Sequence, residues 1–570
     1  MDSTETADVV VVGAGWVGLV AAKTYLEVHP ESQVILLEAE SSVGGVWASH
    51  RLYPGLKSNN MLGTYEYGDF PMDEATWGVK PGQHIPGNVI HEYLTAYAKK
   101  FGVFERTRFN TTVESVRRGD KGGWLLETNK QKLIFAKKLV VATGMTSQAF
   151  MPTFEGQDSF EVPLFHSKDF LQHKGTLKTA KKVTIFGGTK SAWDAVYAYA
   201  SEGVLVDWVI RESGHGPVWM APPYVTPLKK WLEKLVHTRF LTWLSPCIWG
   251  DSDGYGKIRG WSHGTAFGRA LVDRFWAILG GDVLALNKYD SHPETAKLKP
   301  WIPAFWVGAG LSILNYDTDF FEVVKSGKVK VQIADVSRLS KGQVHLSSGE
   351  TLETDALLCS TGWKHSAPMN FQPEGLEAEL GLPHLEDVTQ SEATLTAKAD
   401  AEIFTRFPRL IDQPKQNEKL QPLTNSNTSL TPPDLYRFMV PTKPGFLETH
   451  DIAFAGSLMT IATSTIAQVQ ALWITAYFDG KLACTQDVDD QASALQYSAT
   501  LHNRFGKWRY PGGWGGKIPD FVFDALPYID MLLKDLGINS RRKTSAFKEI
   551  TQPYGPEDYV GIVGEWKKAN

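Results

Sequence analysis

At 570 residues and 63.3 kDa the chain is long enough for two or three domains. Hydrophobic residues at 43%, charged residues at 21% and a formal net charge of −5 describe an ordinary globular protein, with no electrostatic case for nucleic acid or an anionic membrane. Three widely spaced cysteines (Cys247, Cys359 and Cys484) exclude a disulfide framework, a zinc cluster and a CxxC redox pair.

The N-terminus enters a strand with no basic region and apolar core of a signal peptide. Val9–Val12 is a β-branched run of the kind that parallel strands buried on both faces use. Gly13-Ala14-Gly15-Trp16-Val17-Gly18 follows, then a helical stretch to about His29, then Val34–Leu37 ending in Glu38 and Ala39. This is the strand, glycine turn, helix, strand and acid of a dinucleotide-binding unit. Gly13 permits the turn, Gly15 lets backbone approach a pyrophosphate at the helix N-terminus, and Gly18 lets helix and strand pack closely. Glu38 is placed to accept from a ribose diol. Farther on come Gly44-Gly45-Val46-Trp47, Leu56-Lys57-Ser58-Asn59, Asp69-Phe70-Pro71, a helix at 88–102 and a strand at 111–114 that holds Val113. Ala142-Thr143-Gly144 closes the strand at 139–141.

After a polar joining stretch, 154–170, a second unit begins at Val183–Phe186 and Gly187-Gly188-Thr189-Lys190-Ser191-Ala192. Its next strand, 206–210, ends in Arg211 rather than an acid; a cation there suits a 2′-phosphate and favours NADPH over NADH, with Lys190 as a second phosphate charge. Residues 218–320 leave the alternating rhythm and predict helices at 232–249 and 265–279. Strands are expected at 329–333, 343–347 and 355–359, the last running into Ser360-Thr361-Gly362. The segment 366–445 reads as irregular and the tail from Gln486 as mainly helical. The longest uncharged run, 452–478, is broken by Ser457, Thr460, Gln468 and Gln470, so it predicts a buried strand and helix rather than a membrane span.

Taken in order, these motifs from residue 9 to about 480 resemble the class B flavin-dependent monooxygenases, closer to the flavin-containing monooxygenase branch. The joining stretch carries Phe160, His166 and Phe170 of that family's pattern, with Val162 in place of its glycine, and Thr189 departs likewise from the second glycine of the second fingerprint. The resemblance implies an α/β fold of two Rossmann-like domains. A discontinuous FAD domain (1–170 and 340–482) would hold an inserted NADPH domain (171–339) with the helical insertion at 218–320, and an extension would occupy 483–570. It implies FAD contacts from Gly13, Gly15, Trp16, Gly18, Glu38, Ala39, Gly45, Val46, Trp47, Val113, Ala142, Thr143 and Gly144. NADPH contacts would come from Gly187, Thr189, Lys190, Ser191 and Arg211, with Thr361, Gly362 and Gln470 returning near the flavin. Asn59 would face the oxygen-reactive flavin edge and donate a hydrogen bond without a titrating proton. His166 would orient the two domains.

The implied reaction is insertion of one oxygen atom of O₂ into a small organic substrate through a flavin (hydro)peroxide, in secondary metabolism. Baeyer–Villiger oxidation of a ketone, and a flavin oxidase or redox-neutral flavoprotein that no longer uses NADPH, stand as alternatives. A cytoplasmic enzyme is expected, with a homodimer as an open assembly, and no metal, nucleic acid or transmembrane segment.

Overall fold

In the computed structural model, which describes residues 4–308, 310–385, 390–423, 430–485 and 488–570, the valine run forms the end of β1 (Glu5–Val12). Val9, Val10 and Val11 have no exposed surface, as a strand covered on both faces requires. Chain order continues with α1 (Trp16–Val28), β2 (Val34–Leu37), β3 (Thr107–Arg108), β4 (Val113–Arg118), β5 (Trp124–Thr128) and β6 (Leu133–Val141). Then come β7 (Leu164–His166), β8 (Lys182–Phe186), α2 (Lys190–Ser201), β9 (Leu205–Ile210), β10 (Val329–Ile333) and β11 (Leu357–Cys359). β12 (Asn370–Gln372) and β13 (Ile452–Phe454) follow.

Two sheets organise these strands. The first has the order β12-β4-β5-β6-β1-β2-β3, with β13 also paired to β6. The second has the order β10-β9-β8-β11-β7 and is parallel throughout. Two strands that boundaries at 170 and 340 put on the first module's side, β7 and β11, pair in the second sheet. The chain leaves the first sheet after Gly144 and returns after Gly362, and these crossings hydrogen-bond to each other. Phe150 N–H donates to the Gly362 carbonyl and Lys364 N–H to the Gln148 carbonyl, each at 3.0 Å, around an antiparallel Ala149–Trp363 pair.

The insertion is stapled at its ends by a parallel pairing of Trp219–Ala221 with Leu311–Ile313. Its expected helix at 232–249 is broken at His237, because Thr238 caps a new turn by accepting from Leu241 N–H. The helix expected at 265–279, α3 (Ala266–Asn287), is longer than predicted. The segment expected to be irregular contains α4 (Gln390–Arg406), whose Ala399 and Ile403 are buried. α5 (Thr463–Phe478) is buried along nearly its whole length between α1 and the C-terminal extension, which accounts for its lack of charge. No helix among the described residues is long and apolar enough to cross a membrane. The extension contributes α6 (Val488–Arg509), packed on α4, and α7 (Ala525–Asp535), packed on α5; Gln486, its expected start, lies outside the described residues.

Insertion and extension are joined by a buried ion cluster. Arg239, with no exposed side-chain surface, is bonded to Asp530 and Glu549, and Arg259 pairs with Asp253 at 2.6 Å. Removing one partner leaves the others as uncompensated buried charges. Arg239→Ala is therefore expected to cost about 3–5 kcal/mol, read from the urea midpoint at an unchanged m-value.

Candidate functional site

The carboxyl ends of β1, β2 and β6 open on a cavity of about 360 Å³. Gly13, at φ 108°, lies so close to the Ala142 carbonyl that a Cβ would overlap it, and a Cβ on Gly18 would overlap the Gly13 carbonyl. Gly15 precedes the first turn of α1, so unpaired N–H groups of that turn face the cavity. Gly45 comes so near that its Cβ would stand 3.2 Å from Gly15 Cα. Glu38 is buried at the end of β2 and accepts from Ala14 N–H (2.7 Å) and Glu40 N–H (2.9 Å). Burial raises its pKa, and these bonds oppose the rise. The lining includes Gly13, Gly15, Trp16, Glu38, Ala39, Gly45, Val46, Val113, Ala142, Thr143 and Gly144. A cavity lined by a helix N-terminus, closely approaching glycine backbone and an acid at the next strand end fits a dinucleotide.

A second cavity, of about 300 Å³, abuts the first at Thr146, which lines both. Asn59, Thr189, Lys190, Ser191 and Gly362 line it. The second module repeats the first module's close approach: Gly187, at φ 137°, has no room for a Cβ against the Ser360 carbonyl. Thr189 caps α2 at φ −90° and ψ 175°, extended backbone that any residue adopts, just as Gly15 caps α1 at φ −82° and ψ −170°. A threonine is thus accommodated without strain.

Lys190 is tied into a network rather than standing free for a phosphate. Its ammonium pairs with Asp194 and donates to Asn315 Oδ1 at 2.9 Å; burial lowers its pKa and Asp194 opposes that. Asn315 in turn donates to the Lys57 and Ser58 carbonyls at 3.1 Å, holding the strand that carries Asn59. Tyr53 and Tyr316 hydroxyls donate to Asp194 at 2.9 Å. Arg211 lies outside both linings, with Asp335 at 3.3 Å and with Ser213 Oγ and the Gln421 carbonyl at 2.7 Å.

Residues 10–240 match the pyridine nucleotide-disulphide oxidoreductase family. FAD-dependent monooxygenase resA of Aspergillus sclerotiorum is 35% identical over 98% of each chain, and an FAD-dependent monooxygenase of Pyrenophora dematioidea is 34% identical over 95% of this chain and 100% of its own. The chain belongs to the FAD-dependent monooxygenases. In fold this monooxygenase is similar to cyclohexanone monooxygenase from Rhodococcus sp. Phi1, with a TM-score of 0.57 at 17% identity over 94% of this chain and 97% of the other. Its cysteines Cys247, Cys359 and Cys484 are free and line neither cavity, so the reactive pair of a disulfide reductase is missing from both sites.

Several residues expected at a cofactor stand one layer behind the cavities of the monooxygenase. Trp47 is buried and donates its indole N–H to the Tyr65 hydroxyl at 3.1 Å. Thr361 donates to the Phe150 carbonyl at 2.6 Å, bracing the crossing. Gln470 accepts from Gly456 N–H (3.0 Å) and donates to Tyr528 (2.8 Å), fixing a glycine that lines the first cavity. His166, in β7, is buried edge-on to Trp363 at 5.0 Å and accepts from Lys168 N–H at 3.0 Å. At Val162 no glycine is required, because the left-handed backbone falls one residue earlier, at Glu161 (φ 59°).

Three supporting residues went unread in the sequence. Asp194 was visible as the i,i+4 partner of Lys190, whereas Asn315 and Glu233 carry no local signal. Glu233, from the insertion, accepts from the Asn60 side chain, Met61 N–H (3.0 Å), the Thr64 hydroxyl (2.9 Å) and the Trp231 indole (2.9 Å). Burial drives its carboxyl to about 7 against those donors.

Burial pushes the His166 imidazole down to about 4, so it is neutral through the neutral range. Between that value and the roughly 6.5 of an unfolded histidine, only the unfolded chain takes up the proton, and stability falls as pH drops through the window. His166→Gln should remove one proton's share of that acid-side slope, at most about 1.4 kcal/mol per pH unit, measured by urea unfolding across the window.

Proposed function

We propose that this chain is an FAD- and NADPH-dependent monooxygenase that inserts one oxygen atom of O₂ into a small organic substrate, with a role in secondary metabolism. The observation that supports this reading is the junction at Thr146 of two cavities, each at the glycine turn of a strand–helix unit, with Asn59 in the lining of the second. In this reading the first cavity takes FAD. The α1 N-terminus receives the pyrophosphate, Glu38 accepts from the ribose, and Val113 meets the adenine through its backbone. The second takes NADPH, with the α2 N-terminus, Thr189 and Ser191 at the phosphates; Arg211, the cation at the strand end, would meet a 2′-phosphate only on leaving Asp335 and the Gln421 carbonyl. The FAD domain comprises 1–170 and 340–482 apart from β7 and β11, and the NADPH domain 171–339 with its insertion at 218–320. Residues 483–570 are the extension.

Bound FAD, reduced by the nicotinamide, supplies the activation of O₂. The chain's own work is binding, orientation and exclusion of water. Asn59 is the one residue assigned to the reacting edge: its amide donates a hydrogen bond and has no proton to lose near neutrality. The Asn315 and Glu233 networks hold its strand on either side. His166, neutral and buried, orients one module against the other. Cytoplasmic location and homodimeric assembly belong to the same proposal; the free cysteines support the former, and light scattering reads the latter.

A flavin oxidase that has given up NADPH is the second reading. It is favoured by Arg211, whose guanidinium is already engaged by Asp335, Ser213 and the Gln421 carbonyl. Anaerobic mixing separates the two. NADPH bleaches the bound flavin in the first reading, and persistence of the oxidised spectrum would discard it. Asn59→Ala is expected to retain bleaching while lowering product per NADPH about tenfold, the loss of roughly one hydrogen bond at the reacting edge. The missing electrons should be recovered as hydrogen peroxide.

A further inference from the structure

Asn59 is carried by the strand Lys57–Met61, in which neighbouring side chains point to opposite faces. Asn59 lines the second cavity, so Asn60 turns away from it, and Asn60 is only 8% exposed. The Asn60 amide donates to two remote segments, to Glu233 of the insertion and to the Ile461 carbonyl at 2.8 Å. Met459, Thr460 and Ile461 line the second cavity, and Thr463 lines the first. One amide therefore ties the insertion and the strand of Asn59 to a segment that lines both cavities.

Glu233, 1% exposed, accepts from four donors: the Asn60 amide, Met61 N–H, the Thr64 hydroxyl and the Trp231 indole. Only a carboxylate has the lone pairs for all four; a glutamine there would turn an NH₂ group toward donors. The neutral acid still has one place for its proton. The Thr64 hydroxyl lies 2.9 Å from both Glu233 Oε1 and the Met61 carbonyl. With its single proton turned to the carbonyl, it accepts from a protonated Glu233. The network thus has two settings. In the ionised one the bonds to Asn60 and Met61 are charge-assisted, and in the neutral one they fall to roughly half that strength.

Burial, rather than a neighbouring charge, drives this carboxyl up to about 7, so the ionised setting prevails above that pH and the neutral one below it. The charged and titratable groups on the surrounding elements are otherwise engaged. Lys230 is exposed, Lys234 lies over the Trp231 ring and Lys57 pairs with Asp317. Glu66 accepts from Met72 N–H, and Arg239 is held by Asp530 and Glu549. Burial keeps Tyr65 protonated, and it keeps His84 and His237 uncharged near neutrality.

We propose that Glu233 is a positioning residue for the oxygen half of the reaction: its carboxylate holds Asn59 at the reacting edge through Asn60, and its protonation slackens that hold. The proposal rests on the assignment of Asn59 above and adds to it a control by pH seated in the insertion.

The test uses the FAD-loaded protein with its flavin photoreduced, which makes the outcome independent of NADPH. On mixing with aerated buffer, oxidised flavin should return about fivefold faster in the unaltered protein as pH falls from about 8 to about 6. Glu233→Gln should give the fast rate at both ends of that range. Glu233→Gln combined with Asn59→Ala should be no faster than Asn59→Ala alone, because both act through one hydrogen bond. An infrared band of a protonated carboxyl that grows below about pH 7 in the unaltered protein should be missing from Glu233→Gln. If that variant fails to fold, Trp231→Phe, at a half-buried residue, decides: loss of one donor to the ionised form should raise the midpoint of the rate profile. A Glu233→Gln rate that follows the unaltered pH profile, additive effects in the double variant, or an unmoved midpoint in Trp231→Phe overturns the proposal. Acceleration in Asn59→Ala but not in Glu233→Gln sinks the proposal alone, whereas no acceleration in Asn59→Ala sinks the assignment of Asn59 as well.

Discussion

Everything in this molecule depends on how closely two strand ends can approach. At the end of β1 the backbone of Gly13 lies on the Ala142 carbonyl, and at the end of β8 the backbone of Gly187 lies on the Ser360 carbonyl. Each contact closes the same triangle: strand, helix N-terminus and returning strand. A Cβ at either position would push the returning strand away and open the groove in which a pyrophosphate fits. The rest of the second fingerprint is freer. Where the backbone is merely extended, as at Thr189, a side chain is tolerated, so the two cradles match in geometry and differ in sequence.

The helical insertion and the C-terminal extension act on the site from outside these cradles. They are locked to each other through Arg239, Asp530 and Glu549, and the insertion reaches the strand of Asn59 through Glu233 and Asn315. The hydrophobic α5 supports the first cavity from beneath by way of Gln470 and Gly456. The reacting region is thus assembled from segments hundreds of positions apart, and its rigidity comes from buried polar groups that have their partners.

The two cradles were legible in the sequence because their chemistry is local. A valine run, glycines at fixed offsets and an acid or cation at the next strand end need no tertiary information. The roles of Trp47, Thr361 and Gln470 were less legible. Motif order places them near a cofactor, but whether a side chain faces the cavity or braces its lining depends on neighbours such as Tyr65, Phe150 and Tyr528 that come from elsewhere. The same holds for Lys190 and Arg211, whose charges were readable but whose partners Asn315 and Gln421 were not. Helix α4 went unread for a different reason: proline and asparagine in the surrounding segment masked a stretch whose buried Ala399 and Ile403 lie one helical turn apart.

The paired crossing at Ala149 and Trp363 has a consequence for how the protein can be altered. Because the chain departs from and returns to the first sheet at neighbouring points, the second module is a closed excursion. The register of β6 against β1 and β13 is fixed by residues on either side of that excursion, not within it. The module is in effect a cassette whose two ends meet at one junction, so another unit with similarly spaced ends could be grafted there without resetting the register of the first sheet.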